Sequence, residues 1–211
     1  MDEVDCKAVF TQRRKGAKAL RKIEIPLVML ALLAGAAFLT KMCYLSLAFN
    51  TIFVIVFLSI FYLYASARLN LQIPFALLAT VFLALQVDAL GNFFGMYGRQ
   101  FGPMQYDEFA HMAVQVLVTP TVVWLVARTL EKFGYKLPLK LTAFFAATIV
   151  FSLSAAYEII ELWDERYFGG QRIWGKYDTA TDLQWDLCGI LLGTLLSCII
   201  SAREARKVLE S

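Results

Sequence analysis

Six long apolar runs divide this chain, and segments rich in charge or glycine separate most of them. Each run approaches the roughly 20 residues that a helix needs to cross a bilayer. Only 18% of the residues are charged and 59% are hydrophobic, whereas soluble domains carry about 25% charged residues. Because backbone groups in lipid must bond within their own segment, the runs predict helices. The predicted spans cover about 25–42, 48–67, 73–94, 107–129, 138–162 and 183–202.

These spans predict an all-α fold, a polytopic transmembrane helical bundle of about six spanning helices. The predicted organisation is a basic cytoplasmic segment at 1–24, the transmembrane domain at 25–202 and a cytoplasmic tail at 203–211. Fifteen of the twenty Lys and Arg fall on one side if both termini are inside. Cytoplasmic segments carry such an excess, so the sequence predicts an N-in/C-in, multi-pass protein of the cell membrane.

Carboxylates and the single histidine collect at one end of this predicted bundle. In the N-in/C-in topology, four spans bring ionisable residues to one depth near the outer face. Such a residue in an apolar run costs several kcal/mol unless it is paired, hydrated or bound to a cation, and therefore indicates a functional site. Asp164, Glu165 and Asp178 are interpreted as solvated loop charges. The ionisable residues at this depth are Asp88, Asp107, Glu108, His111, Glu158, Glu161, Asp182 and Asp186.

The spacing of these groups places several of them on shared helical faces. Glu108 and Asp107 precede His111 by three and four residues, the separations at which side chains meet on a helix. Glu-x-x-His is also half of the ligand set of di-iron carboxylate bundles, but the sequence has no second copy. Oxygen-rich surroundings with one imidazole favour a divalent Fe, Mn, Mg or Ca ion. The predicted metal ligands are Asp107, Glu108, His111, Glu158, Glu161, Asp182 and Asp186, and the predicted catalytic residues are Glu158, Glu161 and Asp186.

Structural roles account for part of this pattern as well. Asp107 and Asp182 suit the start of a helix, where caps and the helix dipole favour negative charge. Gly189 and Gly193 form a small-xxx-small face that predicts close helix packing, within the bundle or in a homodimer. Pro120 predicts a kink and a freed backbone carbonyl in the fourth span. Membrane lipid is the expected partner, and no feature indicates nucleic-acid binding.

Three segments carry a family resemblance. Tyr106-Asp107-Glu108-Phe109-Ala110-His111, Glu158-Ile159-Ile160-Glu161 and Asp182-Leu183-Gln184-Trp185-Asp186-Leu187-Cys188-Gly189 resemble the acidic motifs of the YjdF-type membrane proteins, placed near the VanZ-like proteins. The motifs extend over residues 75–200. The resemblance implies about six helices and implies no particular reaction.

Three functions remain open from the sequence. The first is a metal-dependent enzyme acting on a lipid or envelope precursor, with Glu158 or Glu161 as general base. The second is a cation- or proton-coupled transporter, because intramembrane carboxylates also relay ions. The inner halves of the predicted spans, however, contain few polar residues beyond Gln86, Gln115, Thr119 and Thr121. The third is a structural membrane protein whose acids hold the helices together.

Overall fold

The structure, a computed structural model, describes residues 47–170, 173 and 175–209. These residues form five helices and a short two-stranded ribbon. The predicted span 25–42 and the basic segment 1–24 lie outside these residues. The elements are α1 (Leu47–Leu69), α2 (Phe75–Phe93), β1 (Gln100–Phe101), β2 (Met104–Gln105), α3 (Tyr106–Lys132), α4 (Leu139–Phe168) and α5 (Asp178–Leu209). All five helices contain a stretch long and apolar enough to cross a membrane, which confirms the predicted helical class.

The helices α4 and α5 are longer at their acidic ends than the sequence predicts. α4 continues to Phe168 instead of ending at 162, and α5 begins at Asp178 instead of 183. One buried stripe explains the longer α4, since Thr142, Val150, Ser154, Glu158 and Asp164 recur along the same face. The acidic turns therefore extend a helix face that packs inward. Gly169, with a φ of 73°, closes the helix in the left-handed conformation that favours glycine.

The helix α3 occupies the centre of the bundle. It packs against α2, α4 and α5, while α1 packs on α2 and α4 packs on α5. Val54, Val150 and Ile190 are fully buried in these interfaces, whereas Ile60 and Leu63 of α1 are largely exposed. Apolar side chains that face outward suit a hydrocarbon surrounding, in which association depends on close packing and not on hydrophobic burial.

Glycines set the close approach of α5 to α3. A Cβ at Gly193 would lie 2.8 Å from Thr119 Cβ and 3.1 Å from the carbonyl oxygen of Val116. Pro120 has no N–H to donate to the Val116 carbonyl, and this oxygen instead faces the glycine. The small-residue face thus packs within one chain, and the homodimer through it stays a prediction.

A short ribbon folds over the acidic end of α2 and α3. The strands β1 and β2 are antiparallel, with Gln100 opposite Gln105. The ribbon leads into Tyr106, whose hydroxyl donates to the backbone oxygen of Val87 at 2.7 Å. The Tyr106 ring occupies the space that a Cβ at Gly91 would need, so glycine is required at this crossing. Tyr106, the first residue of α3, therefore ties the start of α3 to the end of α2.

Candidate metal centre

His111 connects three helices at the acidic end of the bundle. It lies in the second turn of α3, and its Nδ1 is 3.2 Å from Asp186 Oδ1 on α5. Its Nε2 is 3.8 Å from Glu158 Oε1 on α4 and 4.0 Å from Asp182 Oδ1 on α5. Both ring nitrogens therefore face carboxylate oxygens. The structure brings together four of the residues that the sequence nominates as metal ligands.

One ring nitrogen of His111, Nε2, faces carboxylate oxygens without a hydrogen bond to them. Without a cation, an ionised Asp186 carboxylate could only accept a hydrogen bond in this contact, which would place the proton of a neutral ring on Nδ1. In a neutral ring, Nε2 then presents a lone pair to the oxygens of Glu158 and Asp182. That arrangement is repulsive unless a proton or a cation lies between these atoms. A bound cation, a doubly protonated ring and a protonated Glu158 or Asp182 carboxyl that donates to Nε2 are the chemical states that suit the site.

Glu158 supplies an oxygen without a hydrogen-bond donor. The residue is 4% exposed, and its Oε1 accepts no hydrogen bond from any residue that the structure describes. A buried polar atom of this kind costs on the order of 1–3 kcal/mol, and more when the group is charged. Because this oxygen faces the imidazole, a cation between the two would satisfy both.

Two sets of side chains have ligand atoms close enough to share an ion. One is His111, Glu158 and Asp186, and the other is Asp107, Asp178 and Asp182; within each set all ligand atoms lie within 4.8 Å of one another. Oxygens on opposite sides of an ion with bonds of about 2.0–2.6 Å are about 4–5 Å apart. The first set suits a divalent cation better, because the two negative charges of Glu158 and Asp186 would balance its charge. Glu158 also supplies the oxygen that accepts no hydrogen bond from the described residues.

Gln115 fixes the position of Asp186. Its Nε2 donates to Asp186 Oδ1 at 3.0 Å and to Ser154 Oγ at 2.9 Å, so α3 orients a carboxylate of α5 while bonding to α4. Asp186 itself is 1% exposed. Ligand carboxylates in metal sites are commonly held by such second partners. Ser154 is missing from the sequence prediction, because a lone serine in an apolar helix gives no signal.

Three acidic residues have positions that the sequence interpretation does not anticipate. Glu108 accepts the backbone N–H of Gln105 at 2.8 Å and so takes part in a capping box, outside both ligand sets. Asp178 is the first residue of α5 and belongs to the second set, so interpreting it as a loop charge is wrong. Asp164, also interpreted as a loop charge, is buried on α4. The four-residue spacing of Asp178, Asp182 and Asp186 is the signal that favours one continuous helix.

A cavity of about 280 Å³ adjoins the centre. Its wall is acidic at one end and apolar at the other. The acidic end is lined by Asp88, Tyr97, Asp107, His111, Glu161 and Asp186, and the apolar end by Ala84, Leu85, Val114, Val118, Val150 and Leu153. Glu161 thus faces the cavity without belonging to either ligand set, a position from which it can act on a bound molecule.

Tyr97 closes the acidic end from the loop above it. Its hydroxyl is hydrogen-bonded to the Asp88 carboxylate, and its ring packs edge-on against Tyr106. Burial first, and the neighbouring Asp88 second, raise the pKa of Tyr97 well above its usual range. Tyr97 therefore stays a neutral donor. The sequence gives no signal for this contact, because a loop residue cannot be matched to a partner from spacing alone.

Comparison with known proteins matches the chain to one protein family. A family model described as a predicted membrane protein, DUF2238, matches residues 25–207. No curated protein and no solved structure matches the chain. The match confirms the resemblance to the YjdF-type membrane proteins, and the five long apolar helices of the described chain indicate a multi-pass membrane protein. The placement near VanZ-like proteins stays a prediction.

Proposed function

The chain belongs to the DUF2238 family of predicted membrane proteins, and we propose that it is a metal-dependent enzyme acting on a lipid or envelope precursor. A divalent cation would be held by His111, Glu158 and Asp186. The observation that supports this most strongly is Glu158 Oε1, which is buried, faces His111 Nε2 at 3.8 Å and accepts no hydrogen bond within the described chain.

The proposal includes an orientation in the cell membrane. Six spans with both termini inside would put the segment 1–24, rich in Lys and Arg, and the tail 203–211 in the cytoplasm, following the bias of positive charge. The acidic end of the bundle would then face outward. Lipids and envelope precursors that reach the outer leaflet would have access to the centre at that depth.

In the proposed chemistry, some acidic residues bind the cation and another acts as the base. A cation bound to two carboxylates and one imidazole keeps positions open for water or a substrate oxygen, as catalytic metal sites do. Glu161 lines the same cavity and lies outside both ligand sets, so it would take up a proton as general base. Asp107, Asp178 and Asp182 form a neighbouring oxygen-rich set that could hold a second ion.

Metal analysis of the purified protein tests the centre. The protein should contain about one divalent cation per chain, and Glu158→Gln should lose it because an amide oxygen binds cations more weakly than a carboxylate. Glu131→Gln is the matched control, since Glu131 is an exposed residue paired with Arg128 at the far end of α3. A well-folded parent protein that binds no divalent cation, even when supplied with Fe, Mn, Mg or Ca ions, would overturn the proposal.

A variant of the proposed base separates catalysis from structure. Glu161→Gln should retain the cation and the melting temperature while losing cellular function, because the residue lines the cavity outside the ligand sets. If Glu161→Gln keeps full function while triple neutralisation of Glu158, Glu161 and Asp186 lowers only the melting temperature, the acids serve structure alone.

Transport is the second candidate, and one polar chain favours it. From Asp186, polar contacts continue inward through Gln115, which bonds to Ser154 and whose backbone oxygen accepts from Thr119 at 2.6 Å. Beyond that level Val150 and Ile190 are buried. Proteoliposomes measure the alternative directly: cation or proton flux that disappears in Asp186→Asn would establish transport, and absence of flux in the parent protein would remove it.

A further inference from the structure

The cavity beside the metal centre has two chemically different ends, and its length can be estimated from two helices. On α3, eleven residues separate Asp107 at the acidic end from Val118 at the apolar end. On α4, eleven residues separate Glu161 from Val150. At 1.5 Å per residue, each helix gives about 16 Å along the bundle. The cavity is therefore an elongated slot with an acidic head and an apolar tail.

One wall residue shows where this slot opens. Leu153 lines the cavity and is nevertheless 59% exposed, so the slot reaches the outer surface of the bundle beside α4. The neighbouring Val150, one turn deeper, is 2% exposed. The helices α2 and α4 both line the slot and both pack on α3, so the slot lies among these three helices. In a bilayer, an opening at Leu153 faces lipid chains instead of water.

The charge of the acidic end restricts the head group that can occupy it. Among the described residues that line the cavity, four are Asp or Glu, one is histidine and none is Lys or Arg. A divalent cation on His111, Glu158 and Asp186 would neutralise two carboxylates and leave Asp88, Asp107 and Glu161 at the wall. Such a site attracts positive charge and hydrogen-bond donors and repels an anionic phosphate.

We propose that the slot binds a single-chain amphiphile whose head group carries hydroxyl or amine donors and no phosphate, and that the chain enters sideways from the bilayer beside Leu153. The head group lies among Asp88, Asp107 and Glu161, next to the metal centre, and the apolar chain lies along Val114, Val118 and Val150. This assignment rests on the proposed function, because it takes the cavity as the substrate site of that enzyme.

Photolabelling of the full-length protein in lipid nanodiscs tests the assignment. Two probes share one alkyl chain with a diazirine near its end: a monoacylglycerol, which is uncharged, and a lysophosphatidic acid, which carries a phosphate. The monoacylglycerol should label peptides of α3 and α4 around Val118 and Val150. The lysophosphatidic acid should label them at least about tenfold less, equivalent to about 1.4 kcal/mol of binding.

A pair of valines on one helix supplies the variant and its control. Val118→Phe places a ring in the slot, where it would compete with the alkyl chain for space, and should reduce labelling about tenfold. Val122→Phe makes the same change one turn further along α3, at a residue that does not line the cavity, and should label like the parent. Equal labelling by both probes, or labelling unaffected by Val118→Phe, would overturn the assignment.

The same preparation distinguishes this assignment from the metal proposal. Stoichiometric metal without cavity labelling would refute the amphiphile and leave the metal centre standing. Cavity labelling by the uncharged probe in a protein that binds no metal would refute the metal-dependent enzyme and leave the slot as a lipid-binding site. Glu158→Gln should retain the labelling, because the alkyl chain contacts the apolar end.

Discussion

Gln115 offers a test of the metal centre that leaves every proposed ligand intact. Its amide donates to Asp186 Oδ1 at 3.0 Å and to Ser154 Oγ at 2.9 Å. Gln115→Met keeps a side chain of similar length and removes both donors. Asp186 Oδ1 would keep its contact with His111 Nδ1 but lose the amide donor, so the carboxylate would be held less firmly in the position in which it would face a cation.

Two independent magnitudes give the size of the expected loss. A hydrogen bond to a charged group contributes about 1.5–3 kcal/mol. Removing a residue that orients a metal ligand typically weakens binding by about 10–100-fold, which equals about 1.4–2.8 kcal/mol. Since the two estimates agree, Gln115→Met should raise the dissociation constant for the cation by one to two orders of magnitude, about 10–100-fold.

Titration of the purified protein with Mn²⁺, followed by the electron paramagnetic resonance signal of the free ion, measures this constant. Gln86→Met is the matched control, because Gln86 is also a buried glutamine but bonds to Thr51 of α1, away from the centre. An unchanged dissociation constant in Gln115→Met would refute the role of Asp186 as a positioned ligand. An equal loss in Gln86→Met would show that the effect is general destabilisation.

Three further substitutions give distinct outcomes. Glu108→Ala should lower stability by about 1 kcal/mol through loss of the capping box and leave metal content unchanged; loss of metal would restore Glu108 to the ligand set. Gly193→Ala should destabilise by about 1–3 kcal/mol in thermal unfolding, because its Cβ would lie 2.8 Å from Thr119 Cβ; unchanged stability would show that α5 can move away without cost. Tyr97→Phe should lower the melting temperature at neutral pH through loss of the bond to Asp88. That deficit should narrow above about pH 10, where unfolded tyrosine ionises while folded Tyr97, with its raised pKa, does not; a constant deficit across that range would contradict the raised pKa.

The helices could be predicted from the sequence because hydrocarbon leaves the backbone few alternatives. Runs of about 20 apolar residues must bond internally, and all five predicted spans within the described residues form helices. The ends of α4 and α5 could not be placed the same way. The turn from Glu161 to Asp164 lies at the end of an apolar run, and only the burial of these two acids in the structure shows that it packs inward.

The site could be predicted as a group of residues and not as a set of contacts. Spacing along one helix shows that Glu108 and His111 share a face, yet Glu108 turns back to its own N-cap while Asp186 and Glu158 arrive from other helices. Rotation of one helix about its axis relative to another is set by packing, which the sequence of a single helix does not encode. For the same reason, Ser154 and Tyr97 gave no signal as neighbours of the centre.

Packing and chemistry depend on each other most directly where α5 crosses α3. The glycine face and the acidic set look independent in the sequence, since either occurs without the other. In the structure, the carbonyl of Met112 occupies the space that a Cβ at Gly189 would need. Met112 directly follows His111, and Gly189 lies three residues after Asp186. Helix axes usually lie 8–10 Å apart, and aspartate is a short side chain. The Asp186 carboxylate reaches the His111 imidazole at 3.2 Å because glycine lets the two backbones approach closely. The small-residue face therefore determines the geometry of the candidate centre as well as the stability of the bundle.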